Sequence, residues 1–298
     1  MKYLDRFVLT DEDKYWAMQA NIINTRTPDE YYPLGLFAKK QLSQVDFEDI
    51  TIFYGGNGSG KSTLLNLIAE NLKLKRNAVF HSTEGFDAFV ERCKSYLARD
   101  EKGRAARLPK DSAILMSDDI FDGLLETRKH NIEVGKAKAE AREIYGEYQR
   151  KTTPKGVNLL DETEELRLIV NSRRKSAREF VLSEVGLKDR QYSNGENALL
   201  FFDSHIKDNA LYLLDEPENS LSPRFQLLLK DILTDAVRYG KCQLVIATHS
   251  PFIMSLKNAK IYNLDAVPVT VEKWYKLENM RAYYEFFKEN KDLFESEW

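Results

Sequence analysis

The chain has 298 residues, 43% hydrophobic and 31% charged, a balance that fits a sizeable core under a charged surface and excludes a disordered chain. A formal net charge of -3 excludes global attraction to nucleic acid or anionic lipid, so any polyanion site must be a local patch. Cys93 and Cys242 stand far apart and outside any C-x-x-C pair, which gives no support to a disulfide framework or a zinc site.

Met1 to Thr10 carries Lys2, Asp5 and Arg6 and lacks the apolar core of a signal peptide. No stretch approaches the roughly 18 apolar residues of a membrane span. A soluble cytoplasmic chain without membrane insertion is expected. Ile50-Thr51-Ile52-Phe53-Tyr54 is an apolar, β-branched and aromatic run ending in glycines, the pattern of a buried strand. Leu64, Leu65, Leu67, Ile68 and Leu72 then recur at helical spacing. Ala78–Phe80 and Ala113–Met116 are weaker strand candidates.

From Asp122 to Leu187 the chain turns rich in Glu, Lys, Arg and Ala, and Thr152-Thr153-Pro154-Lys155-Gly156 divides two helical segments of moderate length. A helical subdomain over 122–190 is predicted, between a first lobe at 1–121 and a second at 191–298. Glu196–Ile206 is predicted to be helical, and Leu211-Tyr212-Leu213-Leu214 reads as a strand buried on both faces. Ser222-Pro223 supplies an N-cap and a proline at the first helical position, and Gly240 closes that helix. Gln243–Ala247 is another buried strand, opened by Cys242, whose thiol is expected to be buried. Strands alternating with helices imply a mostly parallel sheet. After Val271 an aromatic-rich helical tail runs to Trp298 through Tyr283, Tyr284, Phe286, Phe287 and Phe294, a stripe expected to dock on the chain's own core.

Three clusters carry chemistry. Gly55-Gly56-Asn57-Gly58-Ser59-Gly60-Lys61-Ser62 fits G-x-x-x-x-G-K-[ST] without a mismatch, between a strand and a helix. Its glycines allow backbone N–H groups to turn inward around phosphate oxygens, and the helix that follows adds the positive end of its dipole, with Thr63 counted among the nucleotide-binding residues. Lys61 is suited to the β- and γ-phosphates and the Ser62 hydroxyl to Mg²⁺. Asp215 and Glu216 end the second buried strand, the first suited to holding Mg²⁺ and the second to activating water. Pro217 then fixes a rigid turn. His249 ends the third strand, where an N–H donor can meet a γ-phosphate. His81, His130 and His205 lack such a setting.

These clusters, with Tyr192-Ser193-Asn194-Gly195-Glu196 ahead of the acidic strand and Pro217 to Pro223 after it, resemble the ABC-ATPase clade of P-loop NTPases. The Glu-Pro-Glu-x-x-Leu-x-Pro form of the second stretch is similar to that of small stand-alone bacterial ATPases related to SMC-type and OLD-like proteins. The resemblance implies an α/β fold with a mostly parallel sheet flanked by helices and a helical subdomain inserted before the signature. It implies ATP and Mg²⁺ as ligands, and Ser193, Asn194, Gly195 and Glu196 as a signature, with Asn194 in place of a glycine, facing the γ-phosphate of a second protomer. The implied protein is an ATP hydrolase working as a head-to-tail ATP-sandwiched homodimer, a switch in DNA-related or phage-defence processes, with nucleic acid or a defence-system protein as candidate partners. The motor subunit of a membrane transporter and a non-hydrolysing ATP sensor are the alternatives. The clade's glutamine loop is missing, with Ser117, Asp118 or Asp119 as its candidate equivalents. Tyr31, Tyr32 and Phe37 are the candidates for stacking on adenine. Arg173-Arg174-Lys175 with Arg178, and Lys102-Gly103-Arg104 with Arg107 and Lys110, are basic patches best read as solvated helix faces.

Overall fold

The computed structural model describes residues 2–11, 32–77, 80, 82–99, 103–150, 168, 171–172, 174–185, 194–219 and 221–295; for 120–132, 135, 178, 182, 184–185 and 194–195 the backbone alone is described. The chain divides into two compact units, Met1–Ile120 with Asn194–Trp298, and Phe121–Ser193.

The first unit holds two sheets. The strands β1 (Leu4–Val8), β2 (Gln44–Asp46) and β4 (Lys94–Leu97) form an antiparallel sheet in the order β2-β1-β4. The larger sheet runs β5-β6-β7-β3-β8-β9 through Ala113–Leu115, Leu211–Asp215, Gln243–Ala247, Ile50–Tyr54, Lys260–Asn263 and Thr270–Glu272. Five of its strands pair in parallel and only β9 is antiparallel. Every residue of β3, β6 and β7 is buried, so these strands are apolar throughout rather than alternating, as strands covered on both faces must be.

The helix Lys61–Leu72 explains why both sheets exist. Leu64, Leu65, Leu67 and Ile68 are all fully buried, too wide an apolar surface for one sheet to cover. They share one core cluster with Leu4, Phe7, Val45 and Phe47 from the β1 region and with Leu211, Leu213, Val245 and Ala247 from the large sheet. The glycine loop at the helix start is therefore anchored by a buried element. A second fixture is Gln243, fully buried at the start of β7. Its Oε1 accepts from the Tyr3 and Leu4 amides, both at 2.8 Å, and its Nε2 donates to the Leu4 and Glu48 carbonyls at 2.8 and 3.0 Å.

The second unit contains most of the 34-residue helix Ser117–Arg150 and the helix Ala177–Val185. Tyr145 lies against Phe180 with ring centroids 5.5 Å apart, beside buried Ala141 and Val181. Ser176 and Glu179 close a capping box: the Glu179 carboxylate accepts from the Ser176 amide at 2.9 Å and the Ser176 hydroxyl accepts from the Glu179 amide at 3.3 Å. The first predicted helix is longer than moderate and begins at Ser117, not after Asp122, because the Asp119 carboxylate accepts from the Met116 amide at 2.8 Å and starts it directly after β5. The predicted turn at 152–156 and Arg173 lie outside the described residues, as do Ala78 and Val79; Phe80 is not in a strand.

The C-terminal tail departs from expectation. β9 and a short 3₁₀ turn precede its helices Glu278–Glu289 and Lys291–Glu295. Tyr283, Tyr284, Phe286, Phe287 and Phe294 are each more than half exposed. Leu277 and Met280 make the buried anchor instead. The rings pack on one another, Phe286 on Phe287 at 5.5 Å and Phe287 on Phe294 at 5.8 Å, and Arg281 covers Tyr284 at 5.0 Å. Cys242 is fully buried, as expected of a thiol opening an apolar strand.

Replacing Gln243 by Leu strands two buried amides and two carbonyls at once. Its unfolding free energy in urea should fall by about 3 kcal/mol. A loss under about 0.5 kcal/mol would show that water or a local shift replaces those bonds.

Candidate functional site

The parallel pairing of β3, β7 and β6 brings their carboxyl ends to one edge, where ligands bind in open α/β sheets. Because β7 lies between the other two, His249, two residues past its end, stands between the glycine loop after β3 and the acids after β6.

Gly55 to Ser62 forms a tight loop closed by the Ser59 amide on the Gly56 carbonyl at 3.1 Å. Gly58 and Gly60 have φ of 77° and 94°, left-handed values that side chains resist. Gly55 is required for a different reason: a Cβ there would meet Ser59 Oγ at 2.5 Å. Asn57 and Gly58 are exposed at the mouth, whereas Ser59, Gly60 and Lys61 are buried. The Lys61 ammonium donates to the Gly55 and Gly56 carbonyls at 2.9 and 3.2 Å and lies 3.8 Å from the Glu216 carboxylate.

Across the edge, the Ser62 hydroxyl donates to Asp215 Oδ1 at 3.1 Å. Burial pushes the Asp215 carboxyl up to about 6 from an ordinary 3.8, against the downward pull of the Ser62 bond; Glu216 and Glu218 add to the rise and Lys61 opposes it. Adjacent strand residues point to opposite faces, yet Asp215 and Glu216 both reach this edge because Glu216 adopts a left-handed φ of 46°. Its amide still donates to the Ala247 carbonyl at 2.8 Å. Glu216 Oε1 meets His249 Nε2 at 3.0 Å, and Oε2 accepts from Asn219 Nδ2 at 3.1 Å.

Lys61, Ser62, Asp215, Glu216 and His249 are thus brought together. Thr63 is buried and its hydroxyl is bonded to that of Tyr32. Of the adenine candidates, Phe37 is fully buried in the core beneath the loop and cannot stack on a base, Tyr31 lies outside the described residues, and Tyr32 is 48% exposed. Ser193 also lies outside them; the backbone of Asn194 and Gly195 opens the helix Asn194–His205, and Glu196 in its first turn is exposed. Asp119 is turned onto its own helix start, while Ser117 is half-buried and Asp118 exposed. His205 stacks on Phe201 at 4.0 Å, and its Nδ1 lies 2.8 Å from the Phe201 carbonyl.

Two acids stand at this edge that sequence reasoning left without a role. Asp265, just past β8, accepts the Gly56 amide on both carboxylate oxygens at 3.0 and 2.8 Å. Glu218 accepts from the turn after β7. Position was the only signal for Asp265, at the end of a further parallel strand; for Glu218 it was the second acid of Glu216-Pro217-Glu218.

The residues present fit a nucleotide and a hard cation. Left-handed glycines before a helix form a phosphate cradle, and Lys61 supplies a buried positive charge. Among the described residues no group of three or more His, Cys, Asp or Glu could hold a metal. A hydroxyl and a carboxylate, joined by phosphate oxygens and water, is a set suited to Mg²⁺. No helix among the described residues is long and apolar enough to cross a membrane.

Residues 180–254 match the AAA ATPase domain family, a span that takes in β6, the acidic pair and His249. No curated protein matches the sequence. Among solved structures the chain is similar to the Smc head domain with an extended coiled coil, bound to the C-terminal domain of ScpA, from Pyrococcus furiosus, at 13% identity over 96% of this chain and 100% of that one, with a TM-score of 0.43. It is also similar to an Smc head bound to the C-winged helix domain of ScpA, at 17% identity, 77% and 92% coverage and a TM-score of 0.40. A dimeric ATP-binding cassette in a post-hydrolysis state with ADP and Pi is similar at 13% identity, 78% and 88% coverage and a TM-score of 0.36.

The raised Asp215 carboxyl has a consequence for stability. Between pH about 4 and 6 the folded protein holds this proton and the unfolded chain has lost it, so stability falls as pH rises through that window, by on the order of 3 kcal/mol. Asp215→Asn keeps an acceptor for Ser62 and removes the buried charge. Its melting temperature should exceed the parent's at pH 7 to 8 and equal it near pH 3.5. A gain of the same size at both ends would disprove the burial explanation.

Proposed function

We propose that this chain is an ABC-type ATPase that binds Mg·ATP and hydrolyses it within a head-to-tail, ATP-sandwiched homodimer. The observation that carries the reading is the single sheet edge on which Lys61, the Ser62–Asp215 pair and the Glu216–His249 pair converge. Each does a different part of one reaction. The loop amides and Lys61 hold the β- and γ-phosphates, the lysine leaving the loop carbonyls it bonds in the free protein. Ser62 and Asp215 would hold Mg²⁺, which when bound would neutralise phosphate charge. Glu216 takes a proton from the attacking water as its oxygen bonds to the γ-phosphorus and the bridge to ADP breaks. His249, beside that carboxylate, offers a donor to the γ-phosphate oxygens as charge builds on them.

The second copy would enter through the signature. Asn194, Gly195 and Glu196 open the helix Asn194–His205, directly after Ser193 in the sequence, and a helix N-terminus facing an anion gives the physical basis for completing the site in trans. ATP closure and hydrolysis then act as a switch, proposed to serve DNA-related or phage-defence processes with nucleic acid or a defence-system protein as partner. This reading places the chain in the cytoplasm.

Three variants test this. Lys61→Ala should lose ATP binding in an equilibrium titration. Glu216→Gln should bind ATP and accumulate as a dimer on sizing while its turnover falls by at least about 100-fold; turnover at the parental rate would remove Glu216 as the base. Ser193→Arg should bind ATP as a monomer and fail to dimerise, and undiminished ATP-dependent dimerisation would end the composite-site reading.

A further inference from the structure

Glu218 lies two residues beyond Glu216, across Pro217, and is only 8% exposed. A buried carboxylate without compensation is costly, so its partners reveal what it is held for. Its Oε1 accepts three hydrogen bonds from consecutive residues after β7: from the Thr248 hydroxyl at 2.5 Å, the His249 amide at 2.7 Å and the Ser250 amide at 3.0 Å. Its Oε2 is buried and has no hydrogen-bond partner among the described residues. The charge therefore converges on one turn, and at the centre of that turn is the backbone of His249.

These bonds close a circuit. Glu216 Oε1 meets His249 Nε2 at 3.0 Å. The His249 amide is bound by Glu218, and Glu218 returns to Glu216 through Pro217, whose ring fixes the intervening φ. One backbone bond also joins the two sides, the Glu216 amide on the Ala247 carbonyl at 2.8 Å, and side chains add to it. Asn219 grips the free Glu216 oxygen, and Gln226 accepts from the Ser250 hydroxyl at 2.7 Å while donating to the Leu221 carbonyl at 2.9 Å. Among the described residues Glu218 alone has a carboxylate bonded to the backbone that carries the histidine. Charge-assisted bonds to amides are short and directional, suited to fixing a backbone to within a fraction of an ångström.

We propose that Glu218 is a positioning residue: its carboxylate locks the Thr248–Ser250 turn to the acidic loop and so sets the distance between the His249 imidazole and Glu216. This rests on the ATPase reading given above. It assigns to the second acid of Glu-Pro-Glu a task separate from metal binding and proton transfer, exerted through His249. A buried latch serving stability alone would act without regard to His249, and the two differ in what they predict.

Glu218→Ala and Glu218→Gln should be measured for ATP affinity and single-turnover hydrolysis, in the parent and in a His249→Ala background. With positioning lost, Glu218→Ala should bind ATP within about threefold of the parent while the hydrolysis rate falls by about 100-fold. Glu218→Gln keeps an oxygen that accepts from all three donors and should recover about tenfold of that loss. In the His249→Ala background Glu218→Ala should cost less than about twofold more. Losses that multiply between the two sites, or a weakened ATP affinity with an unchanged rate, would overturn the proposal.

A second readout does not need hydrolysis. The chain has four histidines, so the His249 ring signal in a nitrogen-edited NMR spectrum can be assigned by its loss in His249→Ala. Glu216→Gln should shift that signal in the parent and leave it nearly unmoved when Glu218 is Ala. An equal shift in both would refute the proposal whether or not the chain turns over ATP, whereas a coupled ring signal in an inactive protein would sink only the ATPase reading. If Glu218→Ala does not fold, Thr248→Val removes one of the three donors; a rate loss that vanishes in the His249→Ala background supports positioning and one that persists there refutes it.

Discussion

β7 is paired in parallel on both sides, Phe53 opposite Ala247 across one ladder and Asp215 opposite Ala247 across the other. The ladders continue past the strand ends, through the Thr248 amide on the Phe53 carbonyl at 3.3 Å and the Glu216 amide on the Ala247 carbonyl at 2.8 Å. This double register decides where the chemistry can be. Side chains alternate with a period of two, so a slip of one residue along β7 would turn His249 away from Glu216 and withdraw the turn that Glu218 holds. The burial of every residue in β3, β6 and β7 resists such a slip, and the four bonds of Gln243 fix the opposite end of the same strand.

On this frame three carboxylates within four residues are placed in three environments. Asp215 is buried with a single hydroxyl donor, so desolvation dominates and its neutral form is favoured until positive charge arrives. Glu216 is part-exposed, with an imidazole on one oxygen and an amide on the other. Glu218 is buried, but two amides and a hydroxyl converge on it. Residue type does not separate these acids; local donors and depth do. A cation joining Ser62 and Asp215 would relieve the most costly of the three, which links the stability of the edge to its occupancy.

The large sheet was legible where its strands are continuously apolar. Ile50–Tyr54, Leu211–Leu214 and Gln243–Ala247 announce burial on both faces, and strands of that kind alternating with helices leave a parallel sheet as the simplest packing. β1, β2 and β4 were not legible. β1 is five residues with an irregular register between Leu4 and Arg6 that breaks the alternation, β2 is three residues, and β4 is a half-exposed Lys-Ser-Tyr-Leu. The aromatic tail failed differently: composition tells that rings prefer company, not which company, and here they found one another and the cation of Arg281. At the site, the residues that announced themselves were those at strand ends beside glycine or proline. Asp265 and Glu218 gave little sign, because each acts on a backbone amide of a segment far away in sequence, and a bond to a main-chain group leaves no mark on the partner's residue type.

The same logic bears on Glu216. Its left-handed φ of 46° costs roughly 1 to 2 kcal/mol, and glycine at this position would relieve that cost. Glycine would also remove the carboxylate, and a right-handed residue would send it to the other face from Asp215. The strained backbone is thus the condition for two consecutive acids to reach one edge of the sheet. It persists because its surroundings overdetermine it: the amide bond to Ala247, the Asn219 amide on its carbonyl at 3.0 Å, proline immediately after, and imidazole and carboxamide on its two oxygens. In the proposed reaction strain so held is preorganisation, since the carboxylate would not need to reorient as water and phosphate arrive, and it makes the turn held by Glu218 part of the same rigid assembly.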